Sequence, residues 1–195
     1  MSAVASKTRW LNPLLAALLV AGAQTAALGY MIEGRASILR NGRDVLLKTV
    51  PVDPRDLLRG DYVILSYDIS RIAPELFKGD VPAEAEEAQL YVRLEKQLDG
   101  FWTATEASFQ PLPAAGDSVV LRSLPFSYYP SSPPTSVNVA YGIERFYVPE
   151  GEGRTLEEAR NAQALSVNIR VDGSGKAQIR EIAVNGSPVY EEPLY

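Results

Sequence analysis

The sequence predicts a mainly β domain with minor α, an antiparallel sheet or partly open β-barrel, preceded by one N-terminal transmembrane helix. Two observations lead there. Trp10 to Ile32 is a run of 23 residues without a charge. As a helix it reaches roughly 34 Å, enough to cross a hydrocarbon layer about 30 Å thick. After it come short stretches of alternating polarity joined by turns such as Asp99-Gly100 and Asp172-Gly173-Ser174-Gly175, the pattern of hairpins in series.

The charge-free run is bracketed by Trp10 and Tyr30, rings that favour the headgroup level. Residues 1–10 then read as a short cytoplasmic tail and 11–32 as an anchor, with the helix continuing to about residue 40. Residues 33–195 read as an extracytoplasmic β-rich domain. A cleavable signal peptide is the rival reading: Lys7 and Arg9 precede the apolar Leu14–Val20 stretch, and Ala21 and Ala23 suit cleavage before Gln24. The uncharged run continues nine residues past Ala23, which favours an uncleaved single-pass anchor. The basic residues do not set topology, since Arg35, Arg40, Arg43 and Lys48 follow the span. Long domains cross largely regardless of such charge, so the domain is expected outside the cytoplasm.

Within the anchor, Ala17, Ala21, Thr25 and Gly29 repeat every four residues, with Gly22 and Ala26 alongside. A small-residue ridge lets a second helix approach closely, whether another copy or a multi-span membrane protein. An alanine-rich segment also makes such ridges by chance. Gln24, at mid-membrane depth, leans toward a partner because an amide in lipid seeks a hydrogen bond.

After the anchor, Asn41-Gly42 is a turn that closes a helix running through Ile38 and Leu39. Val45 to Val52 reads as a strand stopped by Pro51 and Pro54. Val63, Leu65, Tyr67 and Ile69 alternate with polar neighbours as a half-buried strand. Leu90 to Glu95 and Phe101 to Phe109 flank Asp99-Gly100 as a hairpin. Ser118 to Leu124 is a further strand, Tyr128 to Thr135 an irregular loop, and Val137 to Val148 a strand again. Thr155 to Glu158 has capping-box spacing for a helix ending near Ala162. Leu165 to Val171 and Ala177 to Val184 form the last hairpin. The apolar phase slips between Ile179 and Ile182, which predicts a bulge near Arg180.

Composition narrows the chemistry. With Lys7 and Arg9 set aside, 17 basic residues face 24 acidic ones, a net charge of about −7, which argues against nucleic acid and anionic lipid as partners of the domain. There is no cysteine, hence no disulfide, thiol catalysis or iron–sulfur site. There is no histidine, which removes the usual general base and the commonest metal ligand. No catalytic set, metal site or cofactor is expected.

The densest stretch runs from Pro51 to Tyr67 and contains Gly60-Asp61-Tyr62-Val63-Ile64-Leu65-Ser66-Tyr67. It resembles the bacterial GDYXXLXY proteins, with Gly60, Asp61, Tyr62, Leu65 and Tyr67 at every fixed position. A second block, Tyr141 to Glu150, also looks typical, and the resemblance spans residues 38 to 195. It implies an N-terminal membrane segment, hence a single-pass bacterial inner-membrane protein with a β-rich domain in the periplasm, frequent association with multi-span membrane proteins, and no established activity. Physically, Gly60 supplies a turn with positive φ and Asp61 caps backbone amides ahead of a strand. The functional alternative gathers Arg55, Arg59, Asp61, Tyr62, Tyr67 and Glu144 into a polar patch, where two guanidinium forks would hold a carboxylate or phosphate.

Three enzymatic readings fail. The Arg59-Gly60-Asp61 entry echoes serine/lysine proteases of the signal-peptidase type, but the only serine between anchor and Gly60 is Ser37. Asp53, Asp56 and Asp61 match no calcium-loop spacing and have Arg55 and Arg59 among them. Gly173-Ser174-Gly175-Lys176 lacks the leading glycine and the closing hydroxyl of a phosphate loop. The reading that remains is an accessory or interaction protein for a multi-span membrane partner. Its alternative is a membrane-tethered hydrolase or small-anion binder.

Overall fold

The structure, a computed structural model, describes residues 12–51, 62–113, 115–131, 135–149 and 153–193. The chain divides into residues 1–36 and residues 37–195. Helix α1 (Pro13–Asn41) contains 29 residues, about 44 Å of helix. Asn12 caps its start, with Oδ1 accepting the Leu14 N–H at 3.0 Å, and Pro13 sits in the first turn, where no N–H is missed. The apolar part is unshielded: Leu14, Leu18, Leu19, Val20 and Ile32 are all more than half exposed. One helix is thus long and apolar enough to span a membrane. At its other end Ile38 and Leu39 are buried, and the Gly42 N–H donates back to the Ile38 carbonyl.

Residues 37–195 are mainly β with minor α, in antiparallel sheets, and no closed barrel forms among the described residues. The strands are β1 (Arg43–Lys48), β2 (Tyr62–Ile64), β3 (Arg71–Ile72), β4 (Glu86–Ala88), β5 (Tyr91–Lys96), β6 (Trp102–Ser108) and β7 (Val119–Arg122). There follow β8 (Phe126–Tyr128), β9 (Val137–Asn138), β10 (Arg145–Tyr147), helix α2 (Gly153–Asn161), β11 (Leu165–Val171), β12 (Ala177–Val184) and β13 (Ser187–Glu191). One sheet has the order β1-β11-β12-β13 and another β6-β5-β7, while β2/β10, β3/β9 and β4/β8 are two-stranded ribbons.

The two hairpins predicted from Asp-Gly turns form as β5/β6 and β11/β12. In the second, Asn168 faces Glu181 and Ile169 faces Ile179, so Arg180 is the extra residue of a bulge at the expected place. The Arg180 guanidinium then ties down the C-terminal edge through the Glu192 carbonyl and the Glu191 carboxylate. Asp172 Oδ1 accepts the N–H groups of Ser174 and Lys176, a hairpin turn where the sequence only superficially suggests a phosphate loop.

Four readings need correction. Val63 to Ile69 keeps its alternating burial but is a strand only over Tyr62–Ile64, because Asp68–Ser70 tightens into a 3-10 turn. Val137 to Val148 is two short strands, broken at Gly142, whose φ is +85°. Phe126–Tyr128 pairs with β4, so the loop after Ser118–Leu124 begins later than expected. Helix α2 already runs at Gly153, which places Thr155 inside the helix rather than at its cap.

The core is one cluster fed by every sheet. Val45 and Leu47 of β1 meet Val167 and Ile169 of β11, and Val92, Leu94 and Leu121 come from the second sheet. Truncating one of these leucines to alanine costs about 2–5 kcal/mol. Cross-links hold the sheets together: Arg122 N–H donates to the Gly175 carbonyl at 2.8 Å, and the Arg43 guanidinium reaches the Asp117 and Ser118 carbonyls. Inside, Arg93 is buried and satisfied by Glu106 at 2.7 Å, Ser118 Oγ and the Pro113 carbonyl.

Candidate functional site

The two sequence blocks singled out above fold against one another. In the β2/β10 ribbon Tyr62 faces Tyr147, Val63 faces Phe146 and Ile64 faces Arg145. The pairing runs on through the Leu65 N–H, which donates to the Glu144 carbonyl at 2.8 Å. Alternation then sends Val63, Leu65 and Tyr67 inward, each 1% exposed or less.

Tyr67 cannot be buried with an idle hydroxyl. Its Oη donates to the Ile143 carbonyl at 2.7 Å, and in return Tyr141 Oη donates to the Ile69 carbonyl at 2.7 Å. The first block therefore sends Tyr67 to the second block's backbone, and the second sends Tyr141 to Ile69, two residues beyond the first. Burial above all, and the Glu144 charge second, push both phenols well above their ordinary range, so both stay protonated donors.

Glu144 is positioned by the sharp backbone at Gly142. Its two carboxylate oxygens accept the N–H groups of Tyr141 at 2.6 Å and Gly142 at 2.9 Å. A negative charge held on two amides fixes the turn that breaks β9 from β10. The sequence reading placed Glu144 in a polar patch with Arg55, Arg59 and Asp61. Those three lie outside the described residues, as does Gly60. Tyr62 packs its ring 5.9 Å from Tyr147 and 5.7 Å from the Arg145 guanidinium, on the outer face of the ribbon.

Sequence reasoning missed Arg160. It is 2% exposed, lies in α2, and donates through Nη1 to the Ile64 carbonyl at 2.5 Å. Asn161 Oδ1 accepts from its other nitrogens at 3.2 and 3.0 Å. A guanidinium this deep is tolerated only because its donors are occupied. The available signal was the amphipathic pattern of α2, which places Leu156 and Arg160 four residues apart on one face.

Beside the tyrosines lies a cleft of roughly 560 Å³, with Tyr67 and Glu144 in its wall and Asp68, Ser70, Arg71 and Asn138 around them. A second cleft of roughly 670 Å³ shares Val50 and Asp68 with it and is bordered by Lys48 and Phe101. Asp68 Oδ1 accepts the Ile69 N–H at 2.7 Å, yet partial burial outweighs that bond and raises its carboxyl above the usual range. Asp99 is the opposite case: Lys48 at 2.7 Å, together with the Phe101 N–H, holds it below that range. A third cleft is acidic, bordered by Asp80, Glu84, Glu86 and Glu87. Among the described residues, no group of three or more acidic side chains is arranged to hold a metal ion.

The strand and turn that form the site lie within the part of the chain that a family model matches. A model of the GDYXXLXY protein family matches residues 24–182, well over half of the chain. No curated protein and no solved structure matches. The paired blocks, with Tyr62, Leu65 and Tyr67 at the motif's spacing, thus lie in a chain that belongs to the GDYXXLXY family.

Proposed function

We propose that this protein is a single-pass, membrane-anchored accessory protein whose domain lies outside the cytoplasm of a bacterial cell and serves a multi-span membrane partner. The observation that carries this reading is α1, whose apolar window has no share buried within the protein. A helix apolar on all sides needs lipid or other helices around it. The ridge of Ala17, Ala21, Thr25 and Gly29 supports a helical neighbour. Among the described residues nothing lies within 4 Å of where a Cβ would sit on Gly22 or Gly29, so a second backbone has room to approach. In the domain, Tyr67, Tyr141 and Glu144 are all engaged in backbone contacts. That supports a scaffold that presents a surface rather than one that reacts.

Tagged full-length protein, solubilised in mild detergent, tests this by what co-purifies. A multi-span membrane protein is expected, lost in an Ala21→Leu/Thr25→Leu variant and kept in Val20→Leu. If no multi-span protein is enriched, the reading is rejected. If the ridge variant retains the partner, the domain rather than the anchor makes the contact.

A further inference from the structure

We propose that the cleft beside the paired tyrosines binds a small zwitterion, a ligand carrying both a carboxylate and an ammonium group, as an amino acid or short peptide does. The cleft, at roughly 560 Å³, has the size of a small-molecule site. Three charges border it, and of these Glu144 already has both oxygens on the Tyr141 and Gly142 amides, leaving the opposite charges of Arg71 and Asp68. Arg71, in β3, uses Nε on Ser136 Oγ at 3.1 Å and has no carboxylate partner among the described residues. Asp68, in the preceding 3-10 turn, spends Oδ1 on the Ile69 N–H and likewise forms no ion pair among the described residues. The two do not pair with each other although they share one cleft.

A third group points the same way. Ser70 lines this cleft, and its Oγ is buried with no hydrogen-bond partner among the described residues. A buried hydroxyl without a partner calls for one, and of the unpartnered hydroxyls among the described residues, which include Thr105 and Tyr190, Ser70 is the one in this cleft, where a ligand would supply it. The Arg71 fork matches a carboxylate in two parallel hydrogen bonds, and the Asp68 carboxylate takes an ammonium group. Asn138 and Ser70 add neutral donors and acceptors, while Val50 and Val139 supply apolar wall for a side chain. A ligand with only a negative charge meets Asp68 and Glu144, and one with only a positive charge meets Arg71. The site therefore discriminates against both. The raised Asp68 carboxyl fits a group kept for binding at a cost to the empty fold. None of this depends on the anchor or on its partner.

The test is calorimetric titration of full-length protein in nanodiscs with L-alanine, L-alanyl-L-alanine, acetate and methylammonium. Alanine or dialanine is expected to bind saturably, with acetate and methylammonium at least about tenfold weaker. Preference for alanine identifies a free amino acid as the ligand class, and preference for dialanine a peptide. Arg71→Gln and Asp68→Asn should each lower affinity about tenfold with folding retained by circular dichroism, while Glu86→Gln, in the acidic cleft, leaves it unchanged. The proposal is overturned if neither alanine nor dialanine gives saturable heat by about 10 mM, or if the Arg71 and Asp68 variants bind as the parent does.

Discussion

Replacing Tyr67 by phenylalanine removes one oxygen from a site that is 1% exposed and leaves the packing volume intact. What is lost is the 2.7 Å bond to the Ile143 carbonyl, and a buried carbonyl is left short of a donor. A neutral hydrogen bond is worth about 0.5–1.5 kcal/mol net, and an orphaned partner adds to that, so the expected loss is about 1–2 kcal/mol. For a domain of this size each kcal/mol moves the melting temperature by about 2–4 °C, which predicts a fall of about 2–8 °C. Tyr141→Phe removes the reciprocal bond to Ile69 and should cost a similar amount. Tyr147→Phe is the internal control: its side chain is 71% exposed, and a surface change is worth less than about 0.5 kcal/mol. Because burial holds the Tyr67 phenol protonated, the loss should be the same from about pH 6 to pH 9. Melts of full-length protein in detergent, followed by near-ultraviolet circular dichroism, decide this. If Tyr67→Phe melts with Tyr147→Phe, the paired tyrosines do not hold the two blocks together.

Glu144→Gln keeps one acceptor but turns an amide N–H₂ toward the Tyr141 or Gly142 N–H, so chemical denaturation should show a loss of about 2–3 kcal/mol. Asp68→Asn should raise the melting temperature at neutral pH. A carboxyl raised in the fold contributes stability in full below its ordinary unfolded value and loses it as pH rises through the raised one, so at neutral pH its charge is a burden that asparagine lacks. The advantage should vanish on acidification to about pH 3. Gly175→Ala should cost more than about 2 kcal/mol, since φ is +80° and the new Cβ would lie 3.0 Å from the Arg122 backbone nitrogen. Gly100→Ala, with φ +87° and open space around it, should cost about 1 kcal/mol.

The elements legible in the sequence were those whose periodicity their own neighbours enforce. Leu165 to Val171 alternates because the four-stranded sheet buries one face, and the slip between Ile179 and Ile182 revealed the Arg180 bulge. Val137 to Val148 misled because Val137, Val139, Tyr141 and Ile143 alternate with other residues as a half-buried strand does. The break was still present as a phase change, with Ile143 and Phe146 both buried three residues apart. Strands β3, β4 and β8 were missed for another reason: they are short, and they form only when a partner distant in sequence supplies the ladder, β9 for β3 and β4 with β8 for each other. In the candidate site, Tyr67 and Glu144 were picked out by type, but their work on backbone groups 76 and 2–3 residues away depends on the fold. Arg160 was missed because its spacing from Leu156 marks an inward face but not the strand, 96 residues earlier, whose carbonyl makes a buried arginine tolerable there.

The claim that organises the whole account is that α1 is an uncleaved anchor with the domain outside the cytoplasm. A reporter active only outside the cytoplasm, fused after Tyr195, combined with N-terminal sequencing of the membrane-extracted product, tests both parts at once. The account predicts an active reporter on a membrane-bound chain that retains Trp10 to Ala23. A silent reporter, or a mature protein beginning at Gln24, would contradict it.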